Sequence, residues 1–312
     1  MNIGYALLHG IAYMISRLPY RALYVIADCF YPLVYYVVRY RRHVVRNNLT
    51  TAFPEKTLDD IKHIERRFYR WLCDYFVETL KLLTITPDTL RRHFELRNVE
   101  QLEQFFDQGR SSASMLGHYC NWEYLSTSPL LFDRWKGKAD VGLIYHPLRN
   151  RAFDRLFIDI RQHSNGLCVP KKDILRQLAT LKREGRMNNF GYIFDQSPKW
   201  ENIHLWLPFL NHDTPVFTGA ERIIRKMQNP VFFLHIERPC RGKYICTMEL
   251  LTDQPQQLEE YELTRMAFQH LENDIRREPY FYLWTHDRWK RTREEYDQRV
   301  ADGRIVKPKN LS

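Results

Sequence analysis

The segment Ser114-Met-Leu-Gly-His118-Tyr-Cys-Asn-Trp-Glu123 joins a short apolar run to the beginning of a helical pattern. The run from Ala113 to Leu116 predicts a buried strand, which Gly117 ends. Because open α/β sheets bind their ligands at the carboxyl ends of the strands, His118 is expected at such an edge. The segment therefore predicts a strand, a turn that carries polar side chains, and a helix.

The chain after Gly109 repeats this alternation of strands and helices. Further short apolar runs predict strands at Val141 to Tyr145, Leu167 to Pro170, Gly191 to Phe194, Val231 to Glu237 and Tyr244 to Leu251. Helical patterns lie between them, at Trp122 to Leu131, Arg151 to His163, Lys172 to Glu184, Gly219 to Lys226 and Glu259 to Glu278. The alternation indicates an α/β fold whose sheet is covered by helices on both faces.

The N-terminal region has a membrane-proximal pattern. It is mainly apolar from Ile3 to Val38, and a basic run follows from Arg39 to Arg46. Its cleanest apolar run, Leu23 to Val38, is shorter than the roughly 20 residues of a spanning helix. A tilted span, a helix lying in the interface and a buried helix of a soluble domain all stay open. The basic run puts the rest of the chain on the cytoplasmic side of a membrane. A cleavable signal peptide fits poorly, since no basic region precedes the apolar stretch.

Residues 55–95 predict amphipathic helix, with apolar positions at helical spacing. Thr57 with Asp60 forms a plausible cap at its start, and Pro87 begins a further short helix. The patterns together divide the chain into a membrane-binding segment (1–45), a helical segment (46–104), an α/β core (105–290) and a polar C-terminal tail (291–312).

Charge and composition restrict the partners and the chemistry. The 47 Lys and Arg residues exceed the 37 Asp and Glu residues, which gives a net charge of +10. Such a chain favours anionic lipid, phosphorylated ligands, acidic carrier proteins or nucleic acid. The six cysteines form no C-x-x-C pair and are expected to be reduced, with Cys120 no nucleophile. No array of metal-ligand spacing and no phosphate-binding glycine loop occurs, so we expect no cofactor and no metal.

His118 and Glu123 form the candidate catalytic pair. A carboxylate in the first turn of the following helix is expected to reach back toward the imidazole. There it would fix the tautomer and stabilise the imidazolium formed when His118 accepts a proton. The pair therefore suits a general base acting on a hydroxyl, although its spacing alone is a weak pattern.

Several further motifs follow one another along the chain. They are Val45-Arg-Asn-Asn-Leu-Thr-Thr-Ala-Phe-Pro-Glu55, Tyr145-His-Pro-Leu-Arg-Asn150, Arg161 with Ser164-Asn165, Asp195-Gln196, Leu207-Pro-Phe209 with Thr218-Gly219, and Tyr282-Leu-Trp-Thr-His-Asp-Arg-Trp-Lys290. With the apolar N-terminus and the segment from His118 to Glu123, they resemble the bacterial lipid A biosynthesis acyltransferases, the late, secondary acyltransferases of lipopolysaccharide assembly. The resemblance covers nearly the whole chain.

The resemblance implies both a fold and a reaction. The fold would be that of the glycerol-phosphate and lysophospholipid acyltransferases, a mixed sheet flanked by helices. The reaction would be O-acyl transfer from acyl carrier protein to a lipid A precursor, an acylated and phosphorylated glucosamine disaccharide. His118 would be the general base and Glu123 its partner, at the cytoplasmic face of the inner membrane. Membrane lipids are the other expected partners.

The resemblance also suggests residues that bind the substrate. Arg149, Arg161 and Arg288 are candidates to meet phosphate or the developing oxyanion, since guanidinium groups offer planar, paired donors. Asp195 follows a predicted strand and should lie near His118, where it would organise the site or orient a basic residue. His146 stands where many members of the family have Arg, so the charge of this motif would depend on pH or come from Arg149.

Two other functions stay open. The same chemistry could act on another glycolipid, glycerolipid or aminolipid acceptor. The chain could instead be a basic, non-enzymatic protein that binds membranes or nucleic acid. The mixture of aromatic and basic residues from Trp284 to Lys290 also fits nucleic acid, but in this context we interpret it as edge-of-site or head-group contact and expect no nucleic-acid partner.

Overall fold

The central strand of the sheet is the one predicted from Ala113 to Leu116. The computed structural model describes residues 3–132, 134–135 and 137–306. The strands are β1 (Phe94–Arg97), β2 (Ser112–Leu116), β3 (Ala139–Tyr145), β4 (Leu167–Pro170), β5 (Met187–Ile193), β6 (Leu205–Phe209), β7 (His212–Val216), β8 (Val231–Cys240) and β9 (Lys243–Thr252). All five residues of β2 are buried, as expected of a strand covered on both faces.

Helices surround this sheet and also form the N-terminal region. They are α1 (Ile3–Ser16), α2 (Tyr20–Pro32), α3 (Arg42–Ala52), α4 (Leu58–Lys81), α5 (Pro87–His93), α6 (Val99–Asp107), α7 (Arg151–Gln162), α8 (Ile174–Arg183), α9 (Gly219–Met227), α10 (Glu262–Arg277) and α11 (Arg293–Ala301). The predicted cap of α4 is present, because Thr57 and Asp60 bond reciprocally in a capping box.

The sheet is mixed and mostly parallel, as the resemblance implied. Its seven strands run in the order β1-β9-β8-β2-β5-β3-β4. Strands β8, β2, β5, β3 and β4 are parallel to one another, whereas β9 is antiparallel to β8 and pairs in parallel with β1. The carboxyl ends of β2, β3 and β5 therefore lie at one edge.

The predicted helix from Trp122 to Leu131 is wrong in type. The structure has a 3-10 helix at Trp122–Leu130. Ser126, Thr127 and Ser128 each donate a side-chain hydrogen bond to the carbonyl three residues earlier, and Pro129 lies inside the element. Hydroxyl groups that bond the local backbone compete with the α-helical pattern, which explains the tighter winding.

The predicted segments 46–104 and 291–312 contain structure that their patterns did not suggest. Strand β1 lies in the first and extends the sheet by pairing with β9. Helix α11 lies in the second, and its Tyr296 is fully buried beside Ile203 and Trp206. Residues 307–312 of that segment lie outside the described residues. The division into segments stays a prediction, but the sheet crosses the boundary at residue 104.

The N-terminal helices pack on α4 with one side and expose apolar residues on the other. Leu23 and Ala27 are buried against Cys73 and Val77. The exposed aliphatic and phenylalanine side chains of α1, α2, the π-helix Leu33–Val37 and the residue after it are Leu7, Ile11, Met14, Val25, Phe30, Leu33, Val37 and Val38. Among the described residues, no single helix has the length and hydrophobicity needed to cross a membrane. The pair Tyr20–Val37 and Arg42–Ala52 meets that requirement only together, across a bend of 85°.

A charge network, buried at Arg238, Asp74 and Glu78 and exposed at Asp28, ties α2 and α4 to the β8–β9 hairpin. Arg238 donates to Asp74 at 2.7 Å, and Arg241 bridges Asp74 and Asp28 at 2.6 and 2.7 Å. Burial raises the pKa of the neighbouring Glu78 despite the positive charge of Arg238. Paired charges of this kind hold their elements in one arrangement, because separating either partner would leave a charge without compensation.

Gly117 lets α10 approach the end of β2. A Cβ atom at this position would lie 2.5 Å from Cδ1 of Leu271, which is itself 1% exposed and has little room to move. The glycine is therefore needed for packing at the residue that precedes His118.

We expect Gly117→Ala to lower the free energy of unfolding by about 1–3 kcal/mol through overpacking against Leu271. Urea denaturation of the purified chain measures the change. Gly219→Ala is the matched control, because a Cβ there meets nothing within 4 Å and its stability should be unchanged or slightly higher. Equal stabilities for the two variants would contradict this account of the packing.

Candidate active site

His118 and Asp195 meet because their strands are parallel neighbours. Leu116 of β2 lies opposite Ile193 of β5. His118 comes two residues after Leu116, and Asp195 comes two residues after Ile193. Nδ1 of His118 lies 2.7 Å from Oδ1 of Asp195. The prediction that Asp195 lies near His118 at a carboxyl strand end agrees with this geometry.

Asp195 is buried and stays ionised. Burial by itself would raise its pKa, but the charge and hydrogen bonds of His118, with nearby Arg288, lower the pKa below the ordinary value. An ionised carboxylate accepts the Nδ1–H of the imidazole, which leaves the lone pair of the neutral ring on Nε2. Nε2 lies 3.3 Å from the side-chain nitrogen of Gln196, and the His118 side chain is 16% exposed. The imidazole is thus oriented at Nδ1, and its side chain is partly exposed.

Glu123 does not make the predicted pairing with His118. Its carboxylate accepts hydrogen bonds from Nε and Nη2 of Arg161 at 2.8 and 2.6 Å and from the indole N–H of Trp122 at 3.1 Å. No direct hydrogen bond from Glu123 to His118 occurs in the described part of the chain. The physical reason is burial, since a carboxylate that is 1% exposed needs a compensating charge, and Arg161 provides a paired contact.

Glu123 nevertheless remains electrostatically and sterically linked to the imidazole. Burial would raise the pKa of Glu123, but Arg161, Trp122 and the charge of His118 lower it below the ordinary range. The Trp122 ring, fixed by its hydrogen bond to Glu123, stands edge-on to the His118 ring at 5.0 Å between centroids. Glu123 is thereby linked to the His118 ring through Trp122.

The three arginines predicted to meet the substrate lie in different environments. Arg161 uses Nε and Nη2 on Glu123. Arg288 is 1% exposed and donates from Nη2 to the carbonyl of Pro215 at 2.9 Å. Its positive charge helps to lower the pKa of Asp195. The burial of Arg288 leaves the edge-of-site alternative of the sequence analysis, and its contact with substrate stays a prediction. Arg149 is exposed in the loop between β3 and α7 and is open to a ligand.

The loop that carries His118 is fixed by the backbone of residues 281–283. The amide of Leu283 donates to the His118 carbonyl at 3.1 Å, and the amide of Cys120 donates to the carbonyl of Phe281 at 2.9 Å. Cys120 is fully buried, and burial raises the pKa of its thiol well above the ordinary value. This agrees with the expectation that Cys120 is not a nucleophile.

Sequence reasoning gave no individual role to several side chains that build the site, although Trp122, Gln196 and His286 stand in the motifs quoted above. Trp122 links Glu123 to His118, and the Tyr75 hydroxyl lies 3.5 Å from Oε1 of Glu123. Tyr75 lies on α4, where an aromatic residue at helical spacing looks like ordinary core. His286 accepts the backbone N–H of Ser197 at 3.2 Å, and burial with the charge of Arg288 lowers its pKa to about 3. The sequence indicated that Gln196 lies near the site only because this residue follows Asp195.

A comparison with protein families identifies the family of this chain. The model of the bacterial lipid A biosynthesis acyltransferases matches residues 2–291, which is nearly the whole chain. A comparison with curated proteins finds no match. The match includes His118, Glu123, Arg161 and Asp195 as well as the N-terminal helices. The chain therefore belongs to the bacterial lipid A biosynthesis acyltransferase family, and its reaction class is acyl transfer.

Proposed function

We propose that the protein transfers a fatty acyl chain from acyl carrier protein to a hydroxyl of a lipid A precursor, with His118 as the general base. The observation that carries the proposal is the imidazole at the end of β2. Its Nδ1 is held by buried Asp195 at 2.7 Å, its Nε2 contacts only the Gln196 amide at 3.3 Å among the described residues, and its side chain is 16% exposed. This is the arrangement that general-base activation of a hydroxyl requires.

The proposed reaction proceeds through one tetrahedral intermediate. Nε2 of His118 takes the proton of the acceptor hydroxyl as its oxygen attacks the thioester carbonyl. The C–S bond then breaks, and the departing thiolate receives the proton from the imidazolium. Asp195 stabilises the imidazolium between these two steps. The acceptor hydroxyl would replace the Gln196 amide at Nε2, which leaves that amide free to donate to the developing oxyanion.

Glu123 and Arg161 have a different part in this proposal from the one predicted. Glu123 is a positioning residue that fixes Trp122 against the His118 ring. Arg161 compensates the buried carboxylate. Arg149 is the exposed arginine of the predicted set, and we assign to it the contact with phosphate on the acceptor.

The surface supports the proposed partners and location. The net charge of +10 suits an acidic carrier protein and an anionic lipid surface. The exposed apolar residues of α1 and α2 lie close in sequence to exposed Arg39 and Arg41. Apolar side chains beside basic ones are typical of helices that lie in the membrane interface. We therefore place the protein at the cytoplasmic face of the inner membrane.

The test is transfer from acyl carrier protein to a tetra-acylated lipid A precursor, measured by mass spectrometry. His118→Ala and Asp195→Asn should each lower the turnover at least ~100-fold, because one removes the base and the other loses the orienting charge. His63→Ala, at an exposed histidine on α4, is the control and should keep full activity. Transfer that survives His118→Ala would contradict the mechanism, and transfer to glycerolipid or aminolipid acceptors alone would contradict the proposed acceptor.

We expect Arg161→Gln to lower the free energy of unfolding by about 3 kcal/mol, because it leaves the Glu123 carboxylate buried without its counter-charge. Adding Glu123→Gln to that variant should recover about 1 kcal/mol or more, since the buried charge is then absent. Urea denaturation of the wild type, both single variants and the double variant measures the coupling. Strictly additive effects would show that the two side chains do not act as a pair.

The lowered pKa of Glu123 predicts a loss of stability in acid. A carboxylate whose pKa is lower in the folded than in the unfolded chain stabilises the fold at pH values above its ordinary pKa of about 4.5. This contribution is lost as the pH falls through the lower pKa of the folded chain. The Glu123→Gln/Arg161→Gln variant should therefore lose less stability than the wild type as the pH falls from about 5 to about 3. Thermal denaturation across this range measures the difference. Parallel pH profiles would contradict the assignment.

A further inference from the structure

A second group of ionisable side chains lies on β8, β9 and α10. The strands are antiparallel, with His235 opposite Thr247 and Phe233 opposite Glu249, so the side chains of His235 and Glu249 share one face. Helix α10 brings His270 to the same face. Nε2 of His235 lies 2.9 Å and Nδ1 of His270 3.6 Å from Oε2 of Glu249. One ligand atom from each of these three residues lies within 4.8 Å of the others.

Asp274 orients the first of these histidines. Its carboxylate is 4% exposed and lies 2.8 Å from Nδ1 of His235. The contact directs Nε2 of His235 toward Glu249 and His270. Histidines that bind metals usually donate their other ring N–H to a carboxylate, which fixes the tautomer and raises the basicity of the ligand nitrogen. Asp274 has this relation to His235, and it lies one helical turn after His270.

We propose that His235, Glu249 and His270 bind a divalent transition-metal ion, with Zn²⁺ as the best fit. Two imidazoles and one carboxylate are a common zinc ligand set, with a water in the fourth position. Tetrahedral ligand atoms lie about 3.3 Å apart at zinc bond lengths, so small side-chain rotations would close the set. The Glu249 side chain is 52% exposed, and those of His235 and His270 are 17% and 24% exposed, so an ion from solvent can reach them.

The ion would fasten the helix that supports the catalytic loop. Leu271 follows His270 and is the residue that packs against Gly117. The backbone carbonyl of Asp274 accepts a hydrogen bond from the Tyr119 hydroxyl at 2.9 Å, and Tyr119 follows His118. A metal joining α10 to the β8–β9 hairpin would hold this single helical turn in place behind the site. Its role is therefore structural and separate from the acyl-transfer chemistry.

The test is titration of the full-length, tag-free chain in detergent with ZnCl₂, followed by calorimetry. We expect one equivalent to bind, Mg²⁺ not to compete, and Co²⁺ to give the visible absorption of a tetrahedral site. The melting temperature should rise with Zn²⁺ and fall back with a chelator. Glu249→Gln and His270→Gln should each weaken zinc binding at least tenfold, and Asp274→Asn 10–100-fold.

His63→Gln is the control, because this exposed histidine on α4 lies outside the cluster and should leave the titration unchanged. Circular dichroism of each variant checks that it is folded, and Glu249→Gln alters an exposed side chain whose loss the fold should tolerate. Absence of stoichiometric binding would overturn the proposal and leave His235 as an imidazolium between two carboxylates. Binding that all three variants retain would overturn it equally. Acyl-transfer activity is not a readout here, so failure of the proposed function would not affect the result.

Discussion

The parallel pairing of β2 with β5 is the constraint on which the active site depends. The register sets Leu116 opposite Ile193, so the residues just beyond the two strands leave the sheet side by side. His118 and Asp195, which are 77 positions apart in the chain, meet there without any distortion of the strands. Two polar side chains that follow directly on paired strands are preorganised, because neither depends on a long, mobile loop for its position. The backbone bonds to residues 281–283 fix the loop from its other side.

The sequence predicted the parts of this arrangement that depend on periodicity and topology. Six strands of the sheet followed from apolar runs, and Asp195 was placed near His118 by the rule for carboxyl strand ends. The partner of Glu123 could not be predicted in this way. Local spacing brings a carboxylate close to the imidazole, but desolvation decides where a buried charge finds compensation. That compensation comes from Arg161, on a helix 38 residues later, and no local pattern encodes such a contact.

Elements whose stability comes from distant contacts were the ones that sequence patterns missed. Strand β1 has four residues and pairs with the edge that β9 offers. Helix α11 is mostly polar, and its Tyr296 and Val300 pack against Ile203 and Trp206. Asp28 shows the same effect within the N-terminal region. In the sequence it interrupts an apolar run, whereas in the structure it pairs with Arg241 at the tip of the β8–β9 hairpin. A residue that argues against a spanning helix is therefore also a residue that docks α2 onto the domain.

Helix α10 contacts both the loop that carries His118 and the β8–β9 hairpin, and it does so within one helical turn. Leu271 fills the space that Gly117 leaves, and Asp274 contacts Tyr119 through its carbonyl and His235 through its carboxylate. Close-packed contacts of this kind transmit displacements, so a shift of α10 would also move the loop that begins with His118. The orientation of the His118 imidazole is thus determined twice. Asp195 sets the rotation of the ring, and the seating of α10 on the β8–β9 hairpin sets the backbone that carries it.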